Sequence, residues 1–421
     1  MSGIVILTGV FVLYALVASR LERLSISGPM IFVLAGVLVG GRVTDRFHVS
    51  LTSEPVLLGV ELTLALLLFA DASTVRLRAV KDDARLPGRL LLIGLPLTIA
   101  LGTVVAMVTF PGAGWAAAAL VASILAPTDL ALGLAIVTNA SVPVRIRRAL
   151  NVESGLNDGI ATPFVTLFLT LVVSEEGKGS HGWVLEAGKE IGWALVVAIA
   201  VGAVGGILLR AAHRRGYTSA VSEQLAILAL ALLAYLGSVA IGGNGFIAAF
   251  VAGLVFGAAT AGAMHEPTEF TETIGLFSSF FVWTLFGALF VGPVLTTRID
   301  GTAIVYAVLS LTVVRMAPVG LSLLGAGLRL DTVAFMGWFG PRGLASVVFT
   351  LVAVETLHAQ GGTYDVLVEV ATWTILLSVV LHGLTAGPLA RAYGRRMRSA
   401  GEVPELSAAP EPRVRLRQLG T

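Results

Sequence analysis

Long apolar stretches recur along almost the whole chain, and short segments that carry most of the charge separate them. Each stretch holds roughly 20 residues, which is enough for a helix to cross about 30 Å of hydrocarbon. Such stretches must be helical, because a bilayer offers no water to backbone N–H and C=O groups. The pattern predicts about 13 membrane-spanning helices. The predicted spans are 3–19, 26–41, 54–71, 88–110, 113–138, 148–174, 183–209, 220–241, 243–260, 270–295, 302–327, 331–356 and 365–390.

The composition supports a membrane protein and excludes several other classes. The 421 residues are 56% hydrophobic and only 13% charged, whereas a soluble domain is about a quarter charged. The chain contains no cysteine, so disulfides, thiolate metal sites and cysteine nucleophiles are excluded. Its arginines lie in short loops, where membrane topology explains them better than nucleic-acid binding does.

Basic residues in the loops predict the orientation of the chain in the membrane. Four clusters fall on one side if the N-terminus is outside, namely Arg76, Arg78, Lys81 and Arg85; Arg145, Arg147 and Arg148; Arg210, Arg214 and Arg215; and Arg391, Arg395, Arg396 and Arg398. About 18 basic residues then lie inside and about 5 outside, as the positive-inside rule requires. This distribution predicts a multi-pass protein of the cell (inner or plasma) membrane with a cytoplasmic C-terminus.

Two of the predicted spans are interrupted near their middles by proline. The fifth span contains residues 126–129 (APTD), and the twelfth contains residues 340–343 (GPRG). Proline removes a helical N–H and clashes with the preceding turn, so both helices are predicted to unwind at about mid-membrane. The breaks lie seven spans apart, which is the spacing expected for two six-helix repeats of opposite orientation joined by a seventh helix. Paired breaks of this kind indicate a transport site.

The sixth predicted span carries a dense group of polar side chains at residues 151–159 (NVESGLNDG). Each charged centre in such a helix costs about 2.5–3.5 kcal/mol on insertion scales, so these side chains face a cavity or one another. Helical spacing places Ser154 and Asp158 on one face, and Glu153 and Asn157 on the adjacent face.

The two faces of this span have different predicted roles. The face of Ser154 and Asp158 is expected to hold an ion with Asp129 and Thr128, because carboxylate, hydroxyl and carbonyl oxygens suit small hard cations. A carboxylate in a low-dielectric cavity also accepts a proton, and a site that binds either one supports exchange. The other face is expected to meet Arg342. The alternative is that Glu153, Asp158 and Arg342 form a buried ion network that only fixes helix packing.

Four segments of the chain resemble one transporter family. They are residues 125–129 (LAPTD), 153–158 (ESGLND), 340–346 (GPRGLAS) and 381–384 (LHGL). They are similar to segments of the monovalent cation:proton antiporter-1 family, which includes the bacterial sodium/proton antiporters and the animal sodium/proton exchangers. The resemblance covers roughly residues 3–392, nearly the whole predicted membrane region.

This resemblance implies a fold and an assembly. The fold would be all-α, with inverted repeats and two broken helices that cross, and the protein would be a homodimer. Residues 1–398 would form the transmembrane domain. A core of residues 88–174 and 302–392 would move against a dimer domain of residues 1–71 and 220–295. Residues 399–421 are predicted to be a short, disordered cytoplasmic tail, since they show no apolar period.

The resemblance also implies a role for each site residue. Asp158 would be the acid that carries the ion and the proton. The residues that would complete the Na⁺ site are Asp129, Ser154 and Thr128. The supporting network would consist of Glu153, Asn157 and Arg342. Asn157 stands where other members have a second aspartate, which implies exchange of one cation for one proton. No cofactor is expected beside the transported Na⁺ and H⁺.

Two residues are secondary candidates. Arg315, inside the eleventh span, either balances acids in the core or reaches water through a cleft. His382 matches the family segment and acts either in the site or as a hydrogen-bonding residue in helix packing.

Three glycines near the end of the seventh predicted span have a structural role. Gly202, Gly205 and Gly206 are predicted to allow close helix packing.

Other functions fit the sequence less well than sodium/proton antiport. Exchange of K⁺ for H⁺ is the main alternative, because selectivity among such ions rests on small differences in cavity size and ligand number. An organic-anion carrier would place unpaired basic residues at mid-depth, and a channel would assemble repeated filter loops. An intramembrane enzyme would need a nucleophile with a base, or a metal motif. The sequence therefore predicts a transporter and not an enzyme, with no nucleic-acid partner.

Overall fold

The computed structural model describes residues 2–40, 53–75, 85–129, 132, 134–176, 183–296, 300–359, 365–401 and 403–407. Within these ranges the regular secondary structure is helical. Eight helices of the described part are long and apolar enough to cross a membrane, and five shorter helices are also apolar. The predicted all-α fold is confirmed, and the helices follow one another in the predicted order.

The helices of the N-terminal half lead up to the polar sixth span. They are α1 (Ser2–Arg23), α2 (Gly28–Val39), α3 (Glu54–Thr74), α4 (Arg85–Arg89, a π-helical turn at Leu90–Gly94, then Leu95–Thr109), α5 (Gly114–Ile124), α6 (Leu134–Val137) and α7 (Val144–Glu176). The fifth predicted span is therefore divided into α5 and α6, with residues 126–129 between them, as the proline predicts.

The helices of the C-terminal half contain the second interruption. They are α8 (Trp183–Arg214), α9 (Ala220–Ala240), α10 (Gly245–Thr260), α11 (His265–Phe286, a π-helical turn at Gly287–Val291, then Gly292–Thr296), α12 (Gly301–Leu311), α13 (Val313–Ser322), α14 (Leu330–Trp338), α15 (Leu344–His358) and α16 (Asp365–Arg398). The twelfth predicted span is divided into α14 and α15, with residues 340–343 between them.

The chain divides into two compact units. One comprises Met1–Glu54, Arg85–Ser154 and Phe280–Thr421, and the other comprises Pro55–Ala84 and Gly155–Ser279. The first unit has a buried apolar cluster that includes Ile146, Met336 and Ala390. The second has its own cluster, which includes Phe69, Ala198 and Phe256. Both broken helices belong to the first unit, while α7 begins in the first unit and ends in the second. The division into a mobile core and a dimer domain stays a prediction.

Glycines bring α8 close to its neighbours in the second unit. A Cβ on Gly202 would lie 2.6 Å from the backbone oxygen of Ala252, and one on Gly206 would lie 2.8 Å from Cβ of Ala259. Gly205 meets a leucine of α9 in the same way. The prediction that these glycines allow close helix packing is confirmed, because any larger residue would push the helices apart.

Part of the segment predicted to be disordered is folded within the first unit. Pro404–Leu406 form a 3₁₀ turn, and the side chain of Glu405 is fully buried. Glu405 Oε1 accepts hydrogen bonds from the backbone N–H of Arg329 and from Thr332 Oγ1, both at 2.8 Å. Arg145 Nη1 donates to the Pro404 carbonyl at 3.0 Å.

The segment Pro404–Leu406 is folded because it contacts the start of α14. The first N–H groups of a helix have no partner inside the helix, and a carboxylate placed there satisfies them and interacts favourably with the helix dipole. The lack of apolar period in residues 399–421 concealed this anchor, because one buried carboxylate leaves no periodic pattern. Residues 408–421, with Arg413, Arg415 and Arg417, lie outside the described residues.

Replacing Glu405 should therefore lower the thermal stability of the protein. Glu405→Ala leaves buried donors without an acceptor, which costs about 1–3 kcal/mol, whereas Glu405→Gln keeps one acceptor oxygen and should lose less. Thermal unfolding of the purified protein in detergent measures the difference. Leu406→Ala is the matched control, since Leu406 is 49% exposed. An equal melting temperature for Glu405→Ala and Leu406→Ala would contradict the anchoring role of Glu405.

Candidate functional site

The two unwound segments of the broken helices satisfy each other's backbone groups. The Asp129 N–H donates to the Pro341 carbonyl at 2.7 Å. The Leu344 N–H, at the start of α15, points to Asp129 Oδ2 at 3.4 Å. Ser346 Oγ donates to the Ile124 carbonyl, at the end of α5, at 2.7 Å. Because helix ends leave N–H and C=O groups unpaired, these contacts remove a cost that is severe in a membrane.

Arg342 lies beside the first break (residues 126–129, between α5 and α6) and is fully buried. Its Nη1 donates to the Ala126 carbonyl at 2.8 Å, and its Nη2 donates to the Ser310 carbonyl at 3.1 Å. The positively charged guanidinium of Arg342 therefore lies at the C-terminal end of α5, while the carboxylate of Asp129 lies at the N-terminal end of α15. Each charge has the sign that the adjacent helix dipole favours.

The two unwound segments lie so close together that both glycines of the second break (residues 340–343) are required. A Cβ on Gly343 would overlap the side chain of Asp129, and a Cβ on Gly340 would overlap the guanidinium of Arg315. Both contacts lie inside the first unit. The GPRG segment therefore combines a helix-breaking proline and a buried cation with two positions that tolerate no side chain.

Glu153 forms its ion pair with Arg315. Arg315 Nη1 and Glu153 Oε1 are 2.6 Å apart, and both side chains are buried. The expectation that Glu153 meets Arg342 as its ion-pair partner is wrong, because the backbone carbonyls of Ala126 and Ser310 engage the Arg342 guanidinium instead. Of the two alternatives for Arg315, the structure supports the one in which it balances an acid in the core.

Two of the predicted cation ligands are in contact at the first break, and a third is the next residue along the chain. Ser154 Oγ, on α7, donates to the carbonyl of Thr128 at 3.0 Å. Thr128 is buried, and the next residue is the half-buried Asp129. The segment thus gathers hydroxyl, carbonyl and carboxylate oxygens, which are the donor types that a small hard cation prefers.

Asn157 and Asp158 lie on the next turn of α7, in the part of the helix that belongs to the second unit. Asn157 is buried and Asp158 is half-buried. Thr162 Oγ1 donates to the Asp158 carbonyl at 2.9 Å. A Cβ on Gly159 would overlap the ring of Phe250, so α10 lies directly against this turn. The roles of Asn157 and Asp158 stay predictions.

His382 connects α16 to the end of α14. Its Nε2 lies 2.9 Å from the carbonyl oxygen of Trp338, and its Nδ1 lies 3.1 Å from Ser378 Oγ. His382 is 1% exposed, so the structure favours the helix-packing alternative for this residue. Sequence reasoning did not identify Ser378 or Ser310 as contacts of the second break. The i, i+4 spacing of Ser378 and His382 was the available signal for the first of them.

Comparison with known proteins agrees with this architecture. The family model described as "Sodium/hydrogen exchanger, transmembrane" matches residues 7–392. The sodium/proton antiporter MjNhaP1 of Methanocaldococcus jannaschii has a similar structure, with a TM-score of 0.71 at 21% identity over 93% of this chain and 98% of that one. At this identity the structural match shows the fold alone.

Curated relatives are similar over most of the chain. A Na⁺/H⁺ antiporter of Schizosaccharomyces pombe is 25% identical over 307 residues, which cover 66% of this chain and 64% of the relative. The Na⁺/H⁺ antiporter ApNhaP of Aphanothece halophytica is 25% identical over 85% of this chain and 68% of its own length. The K⁺/H⁺ antiporter NhaP2 of Shewanella sp. strain ANA-3 is 23% identical over 92% of this chain and 65% of its own length. The chain thus spans about two thirds of the length of these curated relatives.

A double-mutant cycle should show that Glu153 is coupled to Arg315. Removing either partner leaves the other charge buried and unpaired, which costs about 3–5 kcal/mol. We expect Glu153→Ala/Arg315→Ala to be less destabilised than the sum of its single variants, as measured by thermal unfolding in detergent. The matched cycle of Glu153→Ala with Arg342→Ala should give a smaller coupling energy. A larger coupling with Arg342 would mean that the ion pair is misassigned.

Proposed function

The chain belongs to the sodium/hydrogen exchanger family, and we propose that it exchanges a monovalent cation for protons across a membrane. Sodium is the proposed cation, with lithium as a further substrate. The observation that carries the proposal is the contact between the two broken helices at Asp129, beside which Ser154 of α7 donates to the Thr128 carbonyl. Such breaks at a repeat interface are the usual place for ion binding in secondary transporters.

We propose that Asp158 is the residue that binds the cation and the proton in turn. Its support is the similarity of residues 153–158 to the family segment and its position one helical turn from Ser154 on α7. A carboxylate balances either a bound cation or a proton, and one acid that serves both in turn couples their movements in opposite directions. Asp129, Ser154 and Thr128 complete the proposed Na⁺ site. Asn157 and the Glu153–Arg315 pair support the helix that carries it.

Potassium/proton exchange is the second candidate function. A relative that is similar over 92% of this chain is named as a K⁺/H⁺ antiporter. Hydroxyl, carbonyl and carboxylate oxygens bind both ions, and selectivity depends on the size and rigidity of the cavity. Measuring the collapse of a proton gradient in vesicles on addition of Li⁺, Na⁺ or K⁺ distinguishes the two functions.

We further propose the assembly and orientation implied by the family. The protein would be a homodimer in the cell membrane, and its core (residues 88–174 and 302–392) would move against the dimer domain (residues 1–71 and 220–295) in alternating access. The arginines at the C-terminal end of α16, Arg391, Arg395, Arg396 and Arg398, support a cytoplasmic C-terminus and an outside N-terminus, by the positive-inside rule.

Replacing Asp158 with Asn should abolish exchange without unfolding the protein. The amide keeps the size of the side chain but neither accepts a proton nor balances a cation. Sodium-driven pH change in proteoliposomes measures the loss, and gel filtration in detergent checks the fold. Asp365→Asn is the matched control, because Asp365 is an exposed acid at the start of α16. Retention of more than a small fraction of wild-type exchange by Asp158→Asn would disprove the assignment.

Exchange should be electroneutral, because Asn157 supplies no second proton and Glu153 is held by Arg315. One cation then moves against one proton, and the membrane potential does no work on the cycle. Proteoliposomes in which a permeant-anion gradient sets the potential should show the same rate of sodium-driven pH change at every voltage. Each net charge would contribute about 2.3 kcal/mol per 100 mV. A strong voltage dependence would mean that Asp129 or another acid carries a second proton.

A further inference from the structure

We propose that Ser378 and His382 of α16 are positioning residues that fix the second break of the site. This inference rests on the proposed function, because it concerns how Asp129 is held for cation binding. Neither residue is proposed to touch the cation. Their hydrogen bonds instead join the two ends of the unwound segment between α14 and α15 to one continuous helix.

The hydrogen bonds form a chain across the break. His382 Nε2 lies 2.9 Å from the Trp338 carbonyl, which only accepts, so Nε2 carries the ring proton and donates. His382 Nδ1 is then an acceptor for the hydroxyl proton of Ser378, whose oxygen is 3.1 Å away. Ser378 Oγ in turn accepts the backbone N–H of Arg342 at 2.6 Å. His382 Nδ1 also lies 3.1 Å from the Ser378 carbonyl of its own helix. The neutral form protonated at Nε2 satisfies the Trp338 carbonyl, the Ser378 hydroxyl and the Arg342 N–H.

The position of the two side chains explains why they can act together. Ser378 and His382 are four residues apart on α16 and therefore share a helical face. Both are buried, with exposures of 0% and 1%. Inside a membrane the carbonyl before the break and the N–H after it have no water to bind. A serine and a histidine one turn apart therefore supply one donor and one acceptor at the required separation.

A third contact fastens the same end of α14. The indole Nε1 of Trp338 donates to Thr385 Oγ1, also on α16, at 3.1 Å. The rings of Trp338 and His382 lie with their centres 5.1 Å apart. Trp338 is thus held to α16 through its carbonyl, its indole N–H and its ring, which makes the beginning of the break a fixed point.

The anchored segment carries the groups that hold Asp129. Pro341, directly before the anchored N–H of Arg342, accepts the Asp129 N–H, and Leu344 follows with its own N–H directed at the carboxylate. If Ser378 or His382 released the segment, the Pro341 carbonyl and the start of α15 would shift, and the Asp129 side chain would shift with them. The predicted consequence is weaker cation binding, with less effect on the maximal rate.

Three variants test the chain of hydrogen bonds. Ser378→Ala removes the acceptor for Arg342. His382→Gln keeps an amide nitrogen at the position of Nε2, whereas His382→Asn places its nitrogen at the position of Nδ1 and does not reach Trp338. The matched control is Thr374→Val, since Thr374 is a fully buried hydroxyl one turn earlier on α16 that donates to Val370 of its own helix at 2.7 Å.

The first measurement is independent of transport. Hydrogen–deuterium exchange of the peptide that covers residues 340–344, in the purified protein, reports the protection of the Arg342 N–H. We expect faster exchange in Ser378→Ala and His382→Asn, and wild-type exchange in His382→Gln and Thr374→Val. If Ser378→Ala does not fold, the contrast between the two His382 variants carries the test. Unchanged protection in both Ser378→Ala and His382→Asn would overturn the proposal.

The second measurement is the dependence of exchange on Na⁺ concentration in proteoliposomes. Loss of one hydrogen bond is expected to raise the apparent KM for Na⁺ about threefold to tenfold in Ser378→Ala and His382→Asn. A lower maximal rate with an unchanged KM would mean that the residues only support folding, and would overturn the positioning role. If wild-type protein moves neither Na⁺, Li⁺ nor K⁺ while the deuterium results are as expected, the proposed function fails and the anchoring of the break stands.

Discussion

The need to satisfy backbone hydrogen bonds away from water governs the centre of this protein. Two helices stop inside the predicted membrane region, and each leaves N–H and C=O groups that a bilayer does not hydrate. The breaks supply each other's missing partners through the Asp129 N–H, the Pro341 carbonyl and the Ser346 hydroxyl. The two breaks therefore stabilise each other. The oxygen atoms of Thr128 and Asp129 lie at a point where these backbone groups are paired between the segments.

The charges in the first unit follow from the same arrangement. Arg342 lies against the carbonyls at the end of α5, and Asp129 lies against the N–H groups at the start of α15, so each charge is balanced by a helix end. The hydrogen bonds of the Arg342 guanidinium go to carbonyl oxygens, and Glu153 forms its ion pair with Arg315. The buried pair holds α7 to α13 inside the first unit.

The short helix α14 is fastened at both ends by parts of the chain that lie far away in sequence. At its start, Glu405 accepts the Arg329 N–H, and at its end, His382 binds the Trp338 carbonyl. A helix of 9 residues is only marginally stable alone. These contacts therefore hold α14 in place. The C-terminal segment contacts its start, and α16 contacts its end and the second break.

The sequence by itself determined the fold class, the helix order, the two breaks and the polar face of α7. Those features are local, since proline disrupts a helix wherever it stands and apolar length reports a membrane span directly. Tertiary structure alone decided that Arg315 pairs with Glu153, that Arg342 binds carbonyls and that Glu405 is buried. Each of these contacts joins residues more than 30 positions apart, as for Arg315 and Glu153, which are separated by 162 positions. Helical periodicity shows which face a side chain occupies, but the partner opposite that face depends on how distant helices pack, which no local pattern encodes.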